Sequence, residues 1–323
     1  MGYGLTWRLL ARGDEVTHFH RGTHPDPFGE RVTRLVGDRR GGDFARLLAG
    51  RSFDAAVDFA AFEAGDVESA LAVLEGRVGH YVLISTGQVY LVREGCPWPA
   101  SEMDYEGALM PRPADPRDGS EWDYGMGKRG CEDALARAFA ASRFPATRLR
   151  IPMVDGERDH LRRFEAYLWR ILDGGPVLVP EGDLRPVRHV YAGAVVRAIA
   201  DLLGRADSHG QAYNLSQDEM PPLPELVGVM AGALGARPRV VPVPAARLAE
   251  AGLDLRSVSP FSSRWMSCLE PARAKRELGF RHEPLQEYVG RIVASFLAHP
   301  PADQPPAYVA SRPVELALAA RLS

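Results

Sequence analysis

Tyr124 and Lys128 lie four residues apart in Trp122-Asp123-Tyr124-Gly125-Met126-Gly127-Lys128. On a helix that spacing puts both on one face, about one turn apart. A phenol beside an ammonium is suited to general acid or base work near neutral pH, because the positive charge favours phenolate and lowers the Tyr pKa. Earlier in the chain, Tyr81-Val82-Leu83-Ile84-Ser85-Thr86 reads as a strand ending in a hydroxyl that completes a Thr/Tyr/Lys set. Taken alone, Tyr-x-x-x-Lys is ordinary decoration of a surface helix. It becomes chemistry only if an alternating strand and helix framework positions it.

The flanking sequence supplies such a framework. Residues 2–12 carry an apolar stripe at Leu5, Leu9 and Leu10 and read as a helix, with Gly13 as its stop. Glu15–His20 reads as a strand, followed by a short one near Val32–Val36 that ends in Gly37-Asp38. Helix Phe44–Leu48, strand Ala55–Ala60, helix Val67–Glu75 and the apolar strand His80–Ser85 continue the pattern. Strands alternating with helices of about ten residues are the signature of a parallel sheet covered on both faces. Residues 91–121 break the rhythm: rich in proline and acidic residues, they read as a long loop, either an active-site cover or a disordered excursion. The Tyr124 helix and strand Ala146–Ile151 follow. Beyond Pro152 the texture is more mixed, with helices expected over 158–173, 192–204, 222–235, 245–252, 271–278 and 284–298 and strands over 177–179, 185–191, 212–215 and 239–244.

Composition narrows the function classes. A formal net charge of −3 gives no basic excess that would point to nucleic acid. No apolar run approaches the roughly 20 residues of a membrane helix, and no signal-peptide pattern is present, so a soluble cytoplasmic protein is expected. Cys96, Cys131 and Cys268 are too few and too scattered for a disulfide framework or a metal site. His18, His20 and His24 fall across a strand and a loop without a carboxylate or Cys partner in the pattern, so no metal is expected there.

With these elements in order, the chain resembles the extended short-chain dehydrogenase/reductase family, in its NAD-dependent epimerase/dehydratase branch, from Gly2 to about His299. The resemblance rests on an ordered series. It runs through Leu9-Leu10-Ala11-Arg12-Gly13-Asp14-Glu15-Val16, Gly37-Asp38, Val82–Tyr90, Tyr124-Gly-Met-Gly-Lys128, Arg150-Ile151-Pro152, Arg185-x-x-x-His189-Val190 and Ala274–Phe280. It implies a Rossmann-like doubly wound parallel sheet of α/β class, with a smaller mixed α/β C-terminal substrate region. The implied division is a dinucleotide-binding domain over 1–155 plus about 185–215, a substrate-binding region over 156–184 and 216–299, and a Pro/Ala-rich tail with a short helix over 300–323. It also implies that Thr86 is the catalytic hydroxyl, Tyr124 the general acid/base, and Lys128 the residue that holds the nicotinamide ribose. Family relatives are commonly dimers through a helix pair that includes the Tyr/Lys helix, so a homodimer is implied.

The start of the chain departs from that pattern. Family members open with a strand and a Gly-x-x-Gly-x-x-Gly turn that brings backbone N–H groups and the positive helix end to the pyrophosphate. Gly2 matches the third glycine, and the first strand and first two glycines have no counterpart. Either an internal Met is taken as the start, or the product lacks that strand, in which case it should bind dinucleotide poorly and expose two sheet edges. The cofactor-binding set implied is Gly2, Arg21, Asp38, Ala60, Lys128 and Pro152. Where NAD-preferring relatives have an acid, His20 and Arg21 stand here; a cation suits a 2′-phosphate, so NADP is favoured over NAD, unless Arg21 simply faces solvent. Asp38 is an adenine contact or a turn former, and Ala60 lets the cofactor approach closely.

For substrate, the resemblance points to Gln88 and to Arg185, which either binds a phosphate or forms a surface ion pair. His189 reads as a buried structural residue. Trp122, Trp169 and Trp265 line a pocket or pack in the core. Gly87 and Gln88 stand where dehydratases carry an acidic pair, so dehydration is disfavoured. The expected function is that of an NAD(P)-dependent oxidoreductase or epimerase acting on a hydroxyl or carbonyl of a sugar nucleotide or small metabolite. The competing reading is a non-catalytic descendant of the fold, serving as a dinucleotide-sensing or RNA-associated binding protein.

Overall fold

A computed structural model describes residues 1–24, 26–181 and 186–322. The chain divides into two compact units, the first formed by Met1–Pro152, Ala192–Ser216 and Leu269–Arg281, the second by the remaining segments. The first unit opens with α1 (Gly2–Arg12), β1 (Val16–His20), β2 (Val32–Val36), α2 (Asp43–Leu48) and β3 (Ala56–Asp58). It continues through α3 (Ala64–Leu74), β4 (Tyr81–Thr86), α4 (Gln88–Leu91), α5 (Pro116–Ser142) and β5 (Ala146–Ile151). The chain enters the second unit with β6 (Val154–Asp155), α6 (Arg163–Leu172), β7 (Val177–Glu181) and β8 (Val190–Tyr191), then returns with α7 (Ala192–Leu202) and β9 (Ala212–Asn214). The second unit gains α8 (Leu223–Ala233), β10 (Val240–Pro244), α9 (Ala245–Glu250) and α10 (Leu255–Val258). Of the last three helices, α11 (Ala272–Leu278) belongs to the first unit, and α12 (Leu285–Ala298) and α13 (Pro306–Arg321) to the second.

In the first unit β3, β4, β5 and β9 form a parallel sheet in that order. β4 is buried along its whole length, as an apolar strand covered on both faces must be. Val67, Ala70 and Leu74 of α3 recur at helical spacing and pack with Cys131, Ala134 and Leu135 of α5 against Tyr81 and Leu83. The chain is an α/β protein with parallel sheets, as its alternating pattern predicts.

β1 and β2 form a separate parallel pair. Among the described residues β1 pairs only with β2 and β3 only with β4, so each keeps one edge unpaired. Helix α1 reaches both pieces: Thr6 Oγ1 is 2.9 Å from His18 Nε2 on β1, and Gly2 lies against Phe59, just past β3.

Several elements differ from the sequence pattern for local reasons. Helix α5 begins at Pro116, not near Trp122, because Asp115 caps it by accepting from the N–H groups of Arg117 and Asp118, and Pro116 occupies the first turn, where no N–H is needed. Helix α6 begins at Arg163 because Asp159 holds the preceding turn, accepting from Leu161 N and Arg163 N. The strand expected over 185–191 is reduced to Val190–Tyr191, its first residue lying outside the described residues. The Pro-rich stretch after residue 300 enters a 16-residue helix, α13. That helix is held in the second unit by the fully buried Arg170–Glu315 pair, with Nη2–Oε1 at 2.6 Å, and by Leu318 and Ala319 packing on Leu178 and Val243. No helix among the described residues is long and apolar enough to cross a membrane.

The foot of the four-stranded sheet carries a titratable group with a measurable consequence. His80 is fully buried; its Nδ1 accepts from Gly204 N–H at 3.2 Å, and its Nε2 lies 2.8 Å from Thr147 Oγ1. Burial, with His209 nearby, pushes its pKa down to about 4. The unfolded chain therefore takes up a proton near 6.5 that the folded chain refuses until about 4. Stability present above pH 6.5 is lost as pH falls through that window, by up to about 3 kcal/mol. Urea denaturation at pH 7 and pH 4.5 is expected to show this loss, and His80→Gln to reduce it. An equal acid sensitivity in both proteins would refute the assignment.

Candidate active site

Thr86 ends β4, and Tyr124 and Lys128 stand one turn apart on α5. α5 comes close enough to complete the set because Gly125 and Gly127 lack side chains. A Cβ on Gly127 would lie 2.3 Å from Phe62 O, and one on Gly125 would lie 2.9 Å from Gln88 O and 2.7 Å from Val92 Cγ1. Real Cβ atoms do not approach backbone so closely, so glycine is required at these helical positions.

Lys128 is buried at 2% exposure and donates to Ala61 O at 2.7 Å and Ile84 O at 2.9 Å. Its ammonium sits 5.0 Å from the Phe62 ring and 6.0 Å from the Tyr124 ring. Burial holds its pKa below the usual lysine value. Two of its three N–H groups are taken by carbonyls, which leaves one for a ligand.

Tyr124 is hydrogen-bonded with Thr86. Its pKa lies above the usual phenol value, first because of burial and then because of the Glu121 charge, while the Thr86 bond works the other way. The lowering expected from Lys128 is therefore not what the structure shows. Desolvation dominates, and the lysine is directed at two backbone carbonyls.

Thr86 Oγ1 accepts from Gln88 N–H at 3.3 Å, and Gln88 Nε2 donates to Glu121 Oε2. Glu121 was not singled out from sequence. It stands three residues before Tyr124, hence on the same helix face, and that spacing is the signal that could have found it. Its partner Gln88 is remote in sequence, so the pairing itself was invisible.

Behind these residues lies a buried polar wall. Arg150 on β5 pairs bidentately with Glu132 on α5, with Nη2–Oε2 at 2.6 Å and Nε–Oε1 at 3.0 Å. Glu132 also accepts from Ser85 Oγ at 2.5 Å, and Arg150 donates to Tyr90 Oη at 2.7 Å. Tyr90 passes the chain on to Asn214 Oδ1 at 2.9 Å. Burial pushes the Glu132 carboxyl up, but Arg150 and Ser85 together hold it below the ordinary range.

The Pro-rich stretch between α4 and α5 folds onto this wall. Tyr105 lies under the Arg129 and Arg150 guanidinium groups, at 3.9 and 4.3 Å, and donates to Asp133 Oδ1 at 2.7 Å. Arg112 grips Asp123 through two bonds of 2.8 and 2.7 Å, and Trp122 Nε1 donates to Met110 O at 3.0 Å. Trp122 thus ties this loop to α5. Trp169 donates to Glu165 and packs edge-on against Phe296, and Trp265 is buried.

Of the residues expected at a cofactor, Lys128 is joined to the end of the β3 strip through Ala61 O, next to Ala60. Ala60 is exposed, and its N–H donates to Asp58 Oδ1 at 2.8 Å. Asp38 is an exposed turn cap that accepts from Arg40 N at 2.9 Å. Gly2 begins α1, whose first turn has no acidic residue and no side-chain cap hydrogen bond. Pro152 is buried directly after β5, and Arg21 is exposed. Next to it, His20 faces the Asp26 carboxylate at 3.9 Å, an anion that does not favour a 2′-phosphate. Arg185 lies outside the described residues. In the second unit His189 is fully buried, with Nδ1 2.6 Å from Asp155 Oδ2.

Neither a protein-family model nor a curated protein sequence matches this chain. Solved structures do. A dTDP-glucose 4,6-dehydratase from Bacillus anthracis in complex with NAD aligns with TM-score 0.70 at 14% identity, over 92% of this chain and 93% of that one. A UDP-glucose 4-epimerase from Thermotoga maritima with UDP-glucose aligns with TM-score 0.67 at 16% identity, over 91% and 94%. A UDP-glucose 4-epimerase from Thermus thermophilus in complex with NAD aligns with TM-score 0.65 at 19% identity, over 92% and 95%. At these identities the likeness is one of fold, and it extends over nearly the whole of each chain.

Proposed function

We propose that this chain is an NAD(P)-dependent epimerase or reductase of the short-chain dehydrogenase type, acting on a hydroxyl or carbonyl of a nucleotide sugar. The observation that carries the reading is the convergence of Thr86, Tyr124 and Lys128 from β4 and α5 into one buried set. The folds it shares belong to proteins solved with NAD and with UDP-glucose, which supports the dinucleotide and the substrate class. Those partners give no support to NADP over NAD.

The residues fit a dinucleotide at its nicotinamide end, where Lys128 keeps one N–H free for a ribose hydroxyl. At the phosphate end the positive dipole end of α1 suits an anion. When bound, the nicotinamide accepts or returns a hydride. Thr86 and Tyr124 hold the substrate oxygen between their hydroxyls, and Tyr124 moves the proton on that oxygen. Lys128 supplies positive charge at the ribose and orients it. Glu121 contributes a single carboxylate tied to Gln88, so epimerisation or reduction remains favoured over elimination. Both outcomes use the same proton transfer; epimerisation additionally requires a keto intermediate presented on its other face.

The test is a fluorescence titration of the chain with NADH and NADPH, followed by incubation with NAD and either UDP-glucose or dTDP-glucose and proton NMR of the sugar. Saturable binding and a changed sugar are expected. Failure to bind either dinucleotide sinks the reading. Dinucleotide binding that is unaltered by Tyr124→Phe, without turnover of any nucleotide sugar, alcohol or ketone, would favour the non-catalytic sensing role.

A further inference from the structure

We propose that His18, His20 and Asp26 form a binding site for a divalent cation of the zinc, cobalt or nickel class. His18 and His20 are two apart on β1, so their side chains share one face of the strand. The turn that follows brings Asp26 to the same place, supplying the carboxylate that is not evident from the histidine spacing. One ligand atom from each residue lies within 4.8 Å of the others. His18 Nδ1 is 3.7 Å and His20 Nε2 3.9 Å from Asp26 Oδ2. Ligands on a tetrahedral zinc at about 2.0–2.1 Å stand about 3.3 Å apart, so the two histidine–carboxylate distances would contract by about 0.4 and 0.6 Å and the two imidazoles would close in on each other.

The tautomer of His18 is already set for coordination. Thr6 Oγ1 donates to Gly2 O at 2.9 Å and so accepts from His18 Nε2, also at 2.9 Å. The His18 proton therefore sits on Nε2, and the Nδ1 lone pair faces a carboxylate. The Thr6 bond is the outer-shell contact that metal-ligating histidines usually have. His20 Nε2 and Asp26 Oδ2 are both shielded from solvent with no aligned hydrogen bond.

One positive charge already leans on the site: Arg34 Nε lies 2.8 Å from Asp26 Oδ2, off the hydrogen-bond direction. Its side chain is 40% exposed and is also held by a 2.8 Å bond to Gly29 O, so it is a built-in competitor for the metal. Coordination through His20 Nε2 moves that ring's proton to Nδ1 and gives up the 2.9 Å bond from Gly22 N–H, an exposed group that water then satisfies. Two imidazoles and one carboxylate suit zinc, cobalt or nickel rather than magnesium or calcium, and leave a fourth position open.

The test is independent of any turnover. Chain stripped with chelator is titrated with Zn2+ by calorimetry and with Co2+ by visible absorption, with circular dichroism confirming that each variant is folded. One ion per chain is expected. Asp26→Asn and His18→Gln should each weaken binding more than about tenfold, Thr6→Val by about tenfold or more, and Arg34→Gln should tighten it. The gain in Arg34→Gln cannot come from misfolding. The proposal is overturned if the native chain and Arg34→Gln bind no ion, if binding survives in Asp26→Asn and His18→Gln, or if Arg34→Gln brings no gain.

Discussion

Tyr124→Phe is expected to lower kcat by about 10²–10⁴-fold, the usual contribution of a positioned general acid or base, or about 3–5 kcal/mol of barrier. Folding stability should move by about 1 kcal/mol or less, the net value of a single hydrogen bond. The structure separates these two effects. The ring of Tyr124 packs near Phe62 and is unchanged in the variant, whereas the hydroxyl that is removed meets Thr86 and, in the proposed reaction, the substrate oxygen. NADH affinity should also be nearly unchanged, because Lys128 is anchored by Ala61 and Ile84 and not by the phenol. Stopped turnover with retained NADH binding and retained melting temperature is the expected pattern. A variant as active as the native chain would remove Tyr124 from the chemistry.

Arg150→Met is the substitution with the largest expected effect on stability. It leaves the Glu132 carboxylate, which is fully buried, with Ser85 as its remaining partner. Breaking a buried pair from one side costs about 3–5 kcal/mol, because the surviving charge has lost its counterion. The double variant Arg150→Met with Glu132→Leu should recover most of that loss, since two apolar groups replace two charges. A pH signature accompanies the single variant. With Arg150 gone, burial outweighs the remaining pull of Arg148 and Ser85 on Glu132, so its folded pKa is expected to rise above the unfolded value. The folded chain then holds a proton that the unfolded chain has lost, and stability falls as pH rises through the interval between the two pKa values. Urea denaturation at pH 5 and pH 8 should therefore show the larger deficit at pH 8. A single variant no less stable than the double one would mean that the pair is not coupled.

What could be read from the sequence is what is local in it. Tyr124 and Lys128 share a helix and Thr86 ends an apolar strand, so period and position brought the three into view, and the resemblance to the short-chain dehydrogenase/reductase family implied their roles. The alternation of apolar strands with short helices likewise gave the parallel α/β class. Contacts between distant segments carried no such signal. Gln88 meets Glu121, Arg150 meets Glu132, and Tyr105 slides under two arginines, each across a loop whose path composition does not encode. The same holds for Asp26, which the turn after β1 folds back onto the histidines. The early start of α5 is a different case, because Asp115-Pro116 was a readable start signal outweighed by the prolines around it. Lys128 shows a further limit: spacing told where its ammonium would be, but not that two carbonyls would hold it and that burial would dominate the phenol.

The order of strands in the four-stranded sheet also has a meaning in time. β5 ends at Ile151, and the strand that covers its outer edge, β9, begins at Ala212, after the chain has gone into the second unit and come back. On the ribosome β5 is therefore made well before its partner and waits with one row of backbone groups uncovered. α11, which packs beside β9 with Arg273 reaching Gln211 Oε1 at 2.6 Å, arrives later still. The first unit is thus among the first parts synthesised and among the last completed. An early-made, late-covered strand is a point at which nascent chains can pair with one another.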